Sequence, residues 1–426
     1  MTALSGAAEA VLAANWRGGS TVPSPRQYPH QWGWDAAYIA IGWSWLDPMR
    51  AATELESLLR GQWPDGRVPH IVFQPGVPED AYFPGPQFWV PPTPRAGKVG
   101  GVATSGLTQP PLHARAAFEV AERSDGGGEF LVRVFPLLAA QHEYLAGRRD
   151  IGGGGLAAIV HPWESGLDDS PAWDEPLAAV ELPPHGVEPY ERRDRRHVDP
   201  SERPSDAAYD RFVHLARAYR DAGYADDGSG QFLVEDPLFN AIWLWSTHAL
   251  AEIAERVGED AGPFREAAAG IHAALHARLW DGERFRPRDL RSGRLLEPRT
   301  ILSLAPLLDP DLPADVAARL AAELESPHFR APGGIGVASF DLLGAGFDRR
   351  RYWRGPVWAN LNWLLARGLR GHGLEAQARA LEDLTVRLVE AAGLREYFDP
   401  LSGEGLGSRD FSWTAAAVVD ILHSRA

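Results

Sequence analysis

Helical periodicity returns along almost the whole of this chain, and little competes with it. Apolar residues recur at helical spacing over Leu4 to Trp16, Ala36 to Trp45, Asp47-Pro48 to about Gly61, Pro110 to Arg123 and Phe130 to Gly147. The rhythm resumes near 206–222, 238–257, 261–280, 312–325, 355–370, 374–392 and 412–424, with a short helix also readable at 300–305. That makes about a dozen helices by the periodicity criterion. No strand-like alternation runs beyond five residues, and no fixed repeat of the solenoid kind shows. Paired helices that close into an all-α toroid, with the connecting loops building a site at one end, account for this pattern. An open α-solenoid predicts the same helices but not long loops rich in tryptophan and acid.

The totals narrow the chemistry. The 426 residues carry 42 basic and 57 acidic side chains, a formal charge of −15, so nucleic acid and anionic membrane are poor partners. Lys98 is the only lysine and lacks the glycine frame of a P-loop, which leaves little room for Schiff-base or nucleotide chemistry. With no cysteine there are no disulfides, thiolate nucleophiles or sulfur metal sites, which fits a reducing compartment such as the cytoplasm. The N-terminus has no basic residue before Arg17 and reads as a helix rather than a signal peptide, and no stretch approaches the ~18 apolar residues of a membrane span. Gly333-Gly334-Ile335-Gly336 lacks a strand–turn–helix frame for a dinucleotide, and no Gly-x-Ser-x-Gly elbow occurs. Asp226-Asp227-Gly228-Ser229-Gly230 resembles a calcium loop only superficially. His272 and His276, one helical turn apart, have the spacing of a metal pair; with no adjacent acid they read as surface histidines.

The chemistry-bearing residues concentrate in loops. His161-Pro162-Trp163-Glu164-Ser165-Gly166-Leu167-Asp168-Asp169-Ser170-Pro171-Ala172-Trp173-Asp174 packs four carboxylates and two tryptophans into a segment too irregular for a helix or strand. An indole beside an acid supplies a low-dielectric wall that shifts its pKa and a face on which a sugar ring stacks; the plainer reading is a turn whose aspartates cap a helix. Trp32-Gly33-Trp34-Asp35 and Leu394-Arg395-Glu396-Tyr397-Phe398-Asp399-Pro400 share this character, and Tyr352-Trp353-Arg354-Gly355-Pro356-Val357-Trp358 adds aromatics and an arginine. Separated carboxylates framed by aromatics suit glycoside hydrolysis, where one acid protonates the leaving oxygen and another activates water or attacks. Pro- and Gly-rich stretches around 62–106 and 170–206 read as cap or lid loops over a single catalytic ring spanning 1–426. In the second of them, Arg192, Arg193, Arg195, Arg196 and Arg203 make a run that favours a solvated excursion.

These stretches resemble glycoside hydrolase family 63, and its bacterial branch of mannosylglycerate and glucosylglycerate hydrolases in particular. The similarity runs nearly end to end, through Gly61-Gln62-Trp63-Pro64-Asp65-Gly66, Tyr352 to Trp358, Glu396 to Pro400, and Gly403-Glu404-Gly405 to Phe411-Ser412-Trp413-Thr414. The resemblance implies an (α/α)6 barrel with long loop insertions forming a cap, and an inverting, metal-free and cofactor-free hydrolysis of a small α-glycoside. It implies Asp168 as general acid, Glu396 as general base, Asp35 on sugar hydroxyls, and Trp163, Trp353 and Trp358 as aromatic walls. Trp32, Trp34, Tyr352 and Gly355 belong to the same motifs, and Tyr28, Tyr82, Gln109, Arg203 and Tyr209 match the cap positions expected near the glycerate. Two residues depart from the family pattern: Asp169 stands where asparagine is common, and Gly33 where a bulkier residue is frequent. The expected substrate is glucosylglycerate or mannosylglycerate; an α-glucosidase acting on small gluco-oligosaccharides is the alternative within the class. A sugar epimerase, which would use histidine bases in the same toroid, and a non-catalytic sugar binder stand further off.

Overall fold

Helices form where the periodicity places them. The computed structural model describes residues 3–90 and 102–425, and contains α1 (Ala3–Asn15), α2 (Gly33–Leu46), α3 (Pro48–Leu59), α4 (His113–Glu122), α5 (Gly127–Arg148), α6 (Asp174–Ala178) and α7 (Asp206–Asp221). It continues with α8 (Pro237–Val257), α9 (Gly262–Leu279), α10 (Ala314–Leu324), α11 (Ala359–Gly371), α12 (Glu375–Ala392) and α13 (Ser412–His423). Lys98 and residues 91–101 of the first expected lid lie outside the described residues.

The ring closes. α2, α4, α8, a 3-10 helix at Ile301–Leu308, α11 and α13 touch one another in that order, and α13 packs back onto α2. α3, α5, α9, α10, α12 and α1 each cover one of these six from outside, which makes an (α/α)6 barrel. Burial follows from composition. Inner helix α2 is apolar nearly all round and buries 12 of its 14 residues, whereas outer helix α12 buries one stripe through Ala378, Leu381, Thr385 and Leu388. The segment read as a short helix at 300–305 is thus a full stave of the inner ring, fully buried along Ile301–Leu308, with Pro306 inside it.

The inner helices present their N-terminal ends to one side and tie their C-terminal ends together on the other. On that far side Asp420 of α13 accepts hydrogen bonds from the indoles of Trp45 and Trp363, each at 2.8 Å, and pairs with Arg367 at 2.6 Å. Arg367 also pairs with Glu119 of α4, so one buried charged cluster joins α2, α4, α11 and α13. Asp35 and Trp45 are ten residues apart on α2, so the two ends are separated by ~15 Å at helical rise.

Two irregular segments cover the N-terminal side. Phe83 of the first stacks on Tyr190 of the second, with ring centroids 5.1 Å apart and planes at 10°, and the Tyr209 hydroxyl donates to the Phe83 carbonyl at 3.3 Å. The arginine run in the second segment is only partly the solvated excursion that its charge suggests: Arg196 is exposed, whereas Arg203 is buried. Arg192 is largely buried, pairs with Asp194 and Asp206, and lies over the Tyr209 ring at 4.1 Å; these acids and an aromatic face replace water around it. Among the described residues no helix is long and apolar enough to cross a membrane.

Candidate active site

A cavity opens between the N-terminal ends of the inner helices and the covering segments. Of the residues singled out from sequence, it gathers Tyr28, Trp32, Trp34, Asp35, Tyr82, Gln109, Trp163, Asp168, Arg203, Tyr209, Tyr352, Trp353 and Glu396. Two expected site residues are placed elsewhere. Trp358 lies behind Trp353, stacked on it at 3.5 Å between centroids, and Gly355 is buried with its N–H on Ser339. Both support the wall without lining it. His70, Asp194, Gly166, Phe411 and Trp413 also line the cavity. Phe411 and Trp413 belong to a motif that carried the family resemblance, whereas nothing local marks His70 or Asp194.

The fold sorts the four carboxylates of the 161–174 loop into different tasks. Glu164 is completely buried in a two-pronged pair with Arg149, at 2.7 and 2.6 Å, and also accepts the N–H groups of Thr108 and Val160. Asp169 is held by Arg351 at 2.9 and 3.0 Å, with Arg354 nearby, and Asp174 at the start of α6 pairs with Arg354. Only Asp168 faces the cavity. Burial, with the Asp169 charge beside it, pushes the Asp168 carboxyl up to about 8, against a backbone hydrogen bond and Arg203 that pull it down. The Asp169 departure therefore works in the direction of keeping a proton on its neighbour. Gly33 does not line the cavity; a Cβ there would stand 3.0 Å from the Pro69 carbonyl, so its small size serves the packing of the α2 entrance.

The loop turns into the cavity at Gly166, whose φ of +74° is open to glycine and whose missing Cβ would meet the Trp34 ring at 2.7 Å. The pair Arg149–Glu164 anchors the same turn from below. Glu164→Gln is expected to cost about 3 kcal/mol of folding free energy, the low end for breaking a buried pair because Asp226 still faces Arg149 at 3.1 Å; chemical denaturation measures it.

Glu396 arrives from a hairpin that the sequence did not reveal. Residues Arg395–Phe398 pair antiparallel with Gly405–Arg409, and Asp399 closes the connecting turn by accepting from the Leu401 and Ser402 N–H groups. The Asp-Pro-Leu-Ser-Gly run at 399–403 is the local signal for it. Gly407 on the facing strand has φ +63°, and a Cβ there would sit 2.5 Å from Glu396 Oε2. Glu396 is fully buried apart from the cavity. Its Oε1 accepts from the Tyr28 hydroxyl at 2.8 Å, and its Oε2 accepts from Arg203 Nη2 and the Ser408 N–H, both at 2.9 Å.

Arg203 also donates from Nη1 to Tyr28 at 2.7 Å and lies over the Tyr352 ring at 4.6 Å. Its Nε–H is buried without a partner among the described residues. Asp35, in the first turn of α2, is raised well above the usual carboxylate range by burial, with the Glu396 and Glu54 charges adding to it. Trp163 is backed by His70, nearly parallel at 6.3 Å, and by His161; burial lowers both imidazoles to about 3, so they are neutral platforms. Tyr352 holds a left-handed backbone, φ +38°, in the cavity wall, a strained conformation of the kind found at functional sites.

A carboxyl that keeps its proton, a second carboxylate held in fixed donors, and tryptophan walls at one end of an (α/α)6 ring are the equipment of a glycoside hydrolase. Comparison with known proteins agrees. Residues 28–414 match the family model described as mannosylglycerate hydrolase MGH1-like glycoside hydrolase domain. The chain is 41% identical to a mannosylglycerate hydrolase of Rubrobacter radiotolerans, over 97% of this chain and 96% of that one. It is 37% identical to a glucosylglycerate hydrolase of Mycolicibacterium hassiacum, over 99% and 98% respectively. The solved structure of a GH63 mannosylglycerate hydrolase from Thermus thermophilus with Tris and D-glycerate superposes with a TM-score of 0.90 at 39% identity, covering 98% of this chain and 99% of that one. The chain belongs to the MGH1-like glycoside hydrolases of family 63.

Proposed function

We propose that this enzyme cleaves an α-linked glucoside or mannoside of glycerate, releasing the free sugar with inverted anomeric configuration, and glycerate. Asp168 protonates the glycosidic oxygen and Glu396 deprotonates the attacking water. Asp35 takes sugar hydroxyls while Trp163 and Trp353 hold the ring faces. The relatives named for glycerate glycosides support the substrate class, as does a solved relative with D-glycerate bound.

The observation that carries the substrate reading is the state of Arg203. One edge of its guanidinium is committed to Glu396 and Tyr28, while Nε–H and the outer Nη2–H, which lie together on the other edge, remain for a second acceptor. A glycerate carboxylate fits such a fork, and a neutral sugar aglycone does not use its charge. The absence of cysteine suits a reducing, cytoplasmic setting for such a reaction.

The test is a hydrolysis screen of glucosylglycerate, mannosylglycerate, kojibiose, nigerose and trehalose, run on the wild type and Arg203→Ala. A glycerate glycoside is expected to be the best substrate, and Arg203→Ala to raise its KM roughly ten- to a hundredfold, the scale of a charged hydrogen bond at ~1.5–3 kcal/mol. kcat is expected to fall as well, because Glu396 loses its counter-charge. Equal activity on the neutral disaccharides, with KM for the glycerate substrates unmoved by Arg203→Ala, would overturn the reading in favour of an α-glucosidase.

A further inference from the structure

On the outside of the ring, away from every residue that lines the catalytic cavity, two histidines of α9 meet an acid that the sequence places far from them. His272 and His276 lie one turn apart on the same face, with ring centroids 4.9 Å apart. Asp309, buried at the end of the 3-10 stave, brings Oδ2 to 2.6 Å from His272 Nδ1, while its Oδ1 accepts the Asp311 N–H at 3.0 Å. That second bond fixes the carboxylate's orientation. His248 of α8 approaches from the other side, its Nε2 3.8 Å from Asp311 Oδ2, too far for a hydrogen bond.

A simple ion pair explains His272 and Asp309 but not their neighbours. The Nε2 atoms of His276 and His248 are both buried and without a hydrogen-bond partner among the described residues. Buried polar atoms are paired in nearly all folded proteins, so each of these orphan imidazole nitrogens asks for a partner. Donor atoms of His272, His276 and Asp309 lie within 4.8 Å of one another, and so do those of His248, Asp309 and Asp311. Tetrahedral zinc with bonds of ~2.0–2.1 Å needs donors ~3.4 Å apart, between the 2.6 Å of the His272–Asp309 contact and the 4.8 Å that bounds each group.

We propose that His272, His276 and Asp309, with a fourth donor from His248 or Asp311, bind one divalent transition-metal ion, zinc by the chemistry of the donors. Imidazole with carboxylate selects this class over calcium or magnesium, which take oxygen. The ion replaces the proton between His272 and Asp309 and is structural. It joins α9 to the end of Ile301–Leu308, the one inner stave built as a 3-10 helix, whose hydrogen bonds are poorer than an α-helix's.

Titration calorimetry of tag-free, EDTA-stripped protein with zinc chloride tests this. One equivalent is expected with Kd in the micromolar range or tighter, and a Tm increase of roughly 3 °C or more at saturating zinc. His276→Ala and His272→Ala should each weaken zinc binding at least ~tenfold and remove the zinc-dependent Tm increase, with kcat on the enzyme's substrate unchanged. In the cobalt-loaded wild type, visible d–d absorption should appear and be lost in His276→Ala. Binding no tighter than ~100 µM, or binding of equal strength in both variants, would overturn the proposal.

Discussion

Asp168→Asn is expected to lower kcat on a glycerate glycoside roughly 10³–10⁴-fold, the upper range for removal of a general acid whose leaving group is a poorly acidic hydroxyl. An α-glycosyl fluoride, whose leaving group needs little protonation, should recover much of that loss. The pH profile gives a second reading of the same group. With the Asp168 carboxyl at about 8, the proton is present at neutral pH and is lost as pH rises through that value, so wild-type kcat should fall on an alkaline limb near pH 8. The limb should be absent in the residual activity of Asp168→Asn. A wild-type profile flat up to pH 10, or a fluoride substrate no better than the natural one in the variant, would remove Asp168 from the role of acid.

Glu396→Gln should be as severe on the natural substrate and should not be rescued by the fluoride, because the water still lacks a base. The substitution is nearly isosteric, and the amide oxygen keeps an acceptor for Tyr28 or Arg203, so the fold should survive; circular dichroism separates a folded, inactive variant from a collapsed one. Proton NMR of the first sugar released by the wild type completes the assignment. A β-anomer from an α-glycoside means that water attacks directly, with Glu396 as base; an α-anomer means retention through a covalent intermediate, and the base assignment would have to be dropped.

Much of the molecule is legible locally, because the 3.6-residue period of a helix is written within one segment. All the long helices lie close to where the periodicity puts them. The main displacement is α11, read from 355 but starting at Ala359 after the aromatic Tyr352–Trp358 segment has turned along the cavity wall. The hairpin carrying Glu396 escaped because its strands are only four and five residues long and its pairing partner, not its own pattern, makes it a sheet. Likewise the 3-10 stave at Ile301–Leu308 is too short to announce itself as one-sixth of a ring; closure is a property of contacts between α2 and α13, which lie at opposite ends of the chain.

The sequence by itself determined the helix inventory, the absence of thiol chemistry, and the clustering of acids and aromatics in loops, since each of these depends only on which residues occur and at what spacing. It could show that four carboxylates crowd one loop but not which of them faces the cavity with its proton affinity raised. That was decided by tertiary structure, because a carboxyl's proton affinity depends on desolvation and on charges delivered from elsewhere in the chain. Arg149 neutralises Glu164, Arg351 and Arg354 hold Asp169, and Arg354 holds Asp174, while Asp168 is left facing the cavity with Asp169 at its side. The same holds for Arg203 and for the His272–His276 pair, whose partners Glu396 and Asp309 meet them only in the tertiary structure.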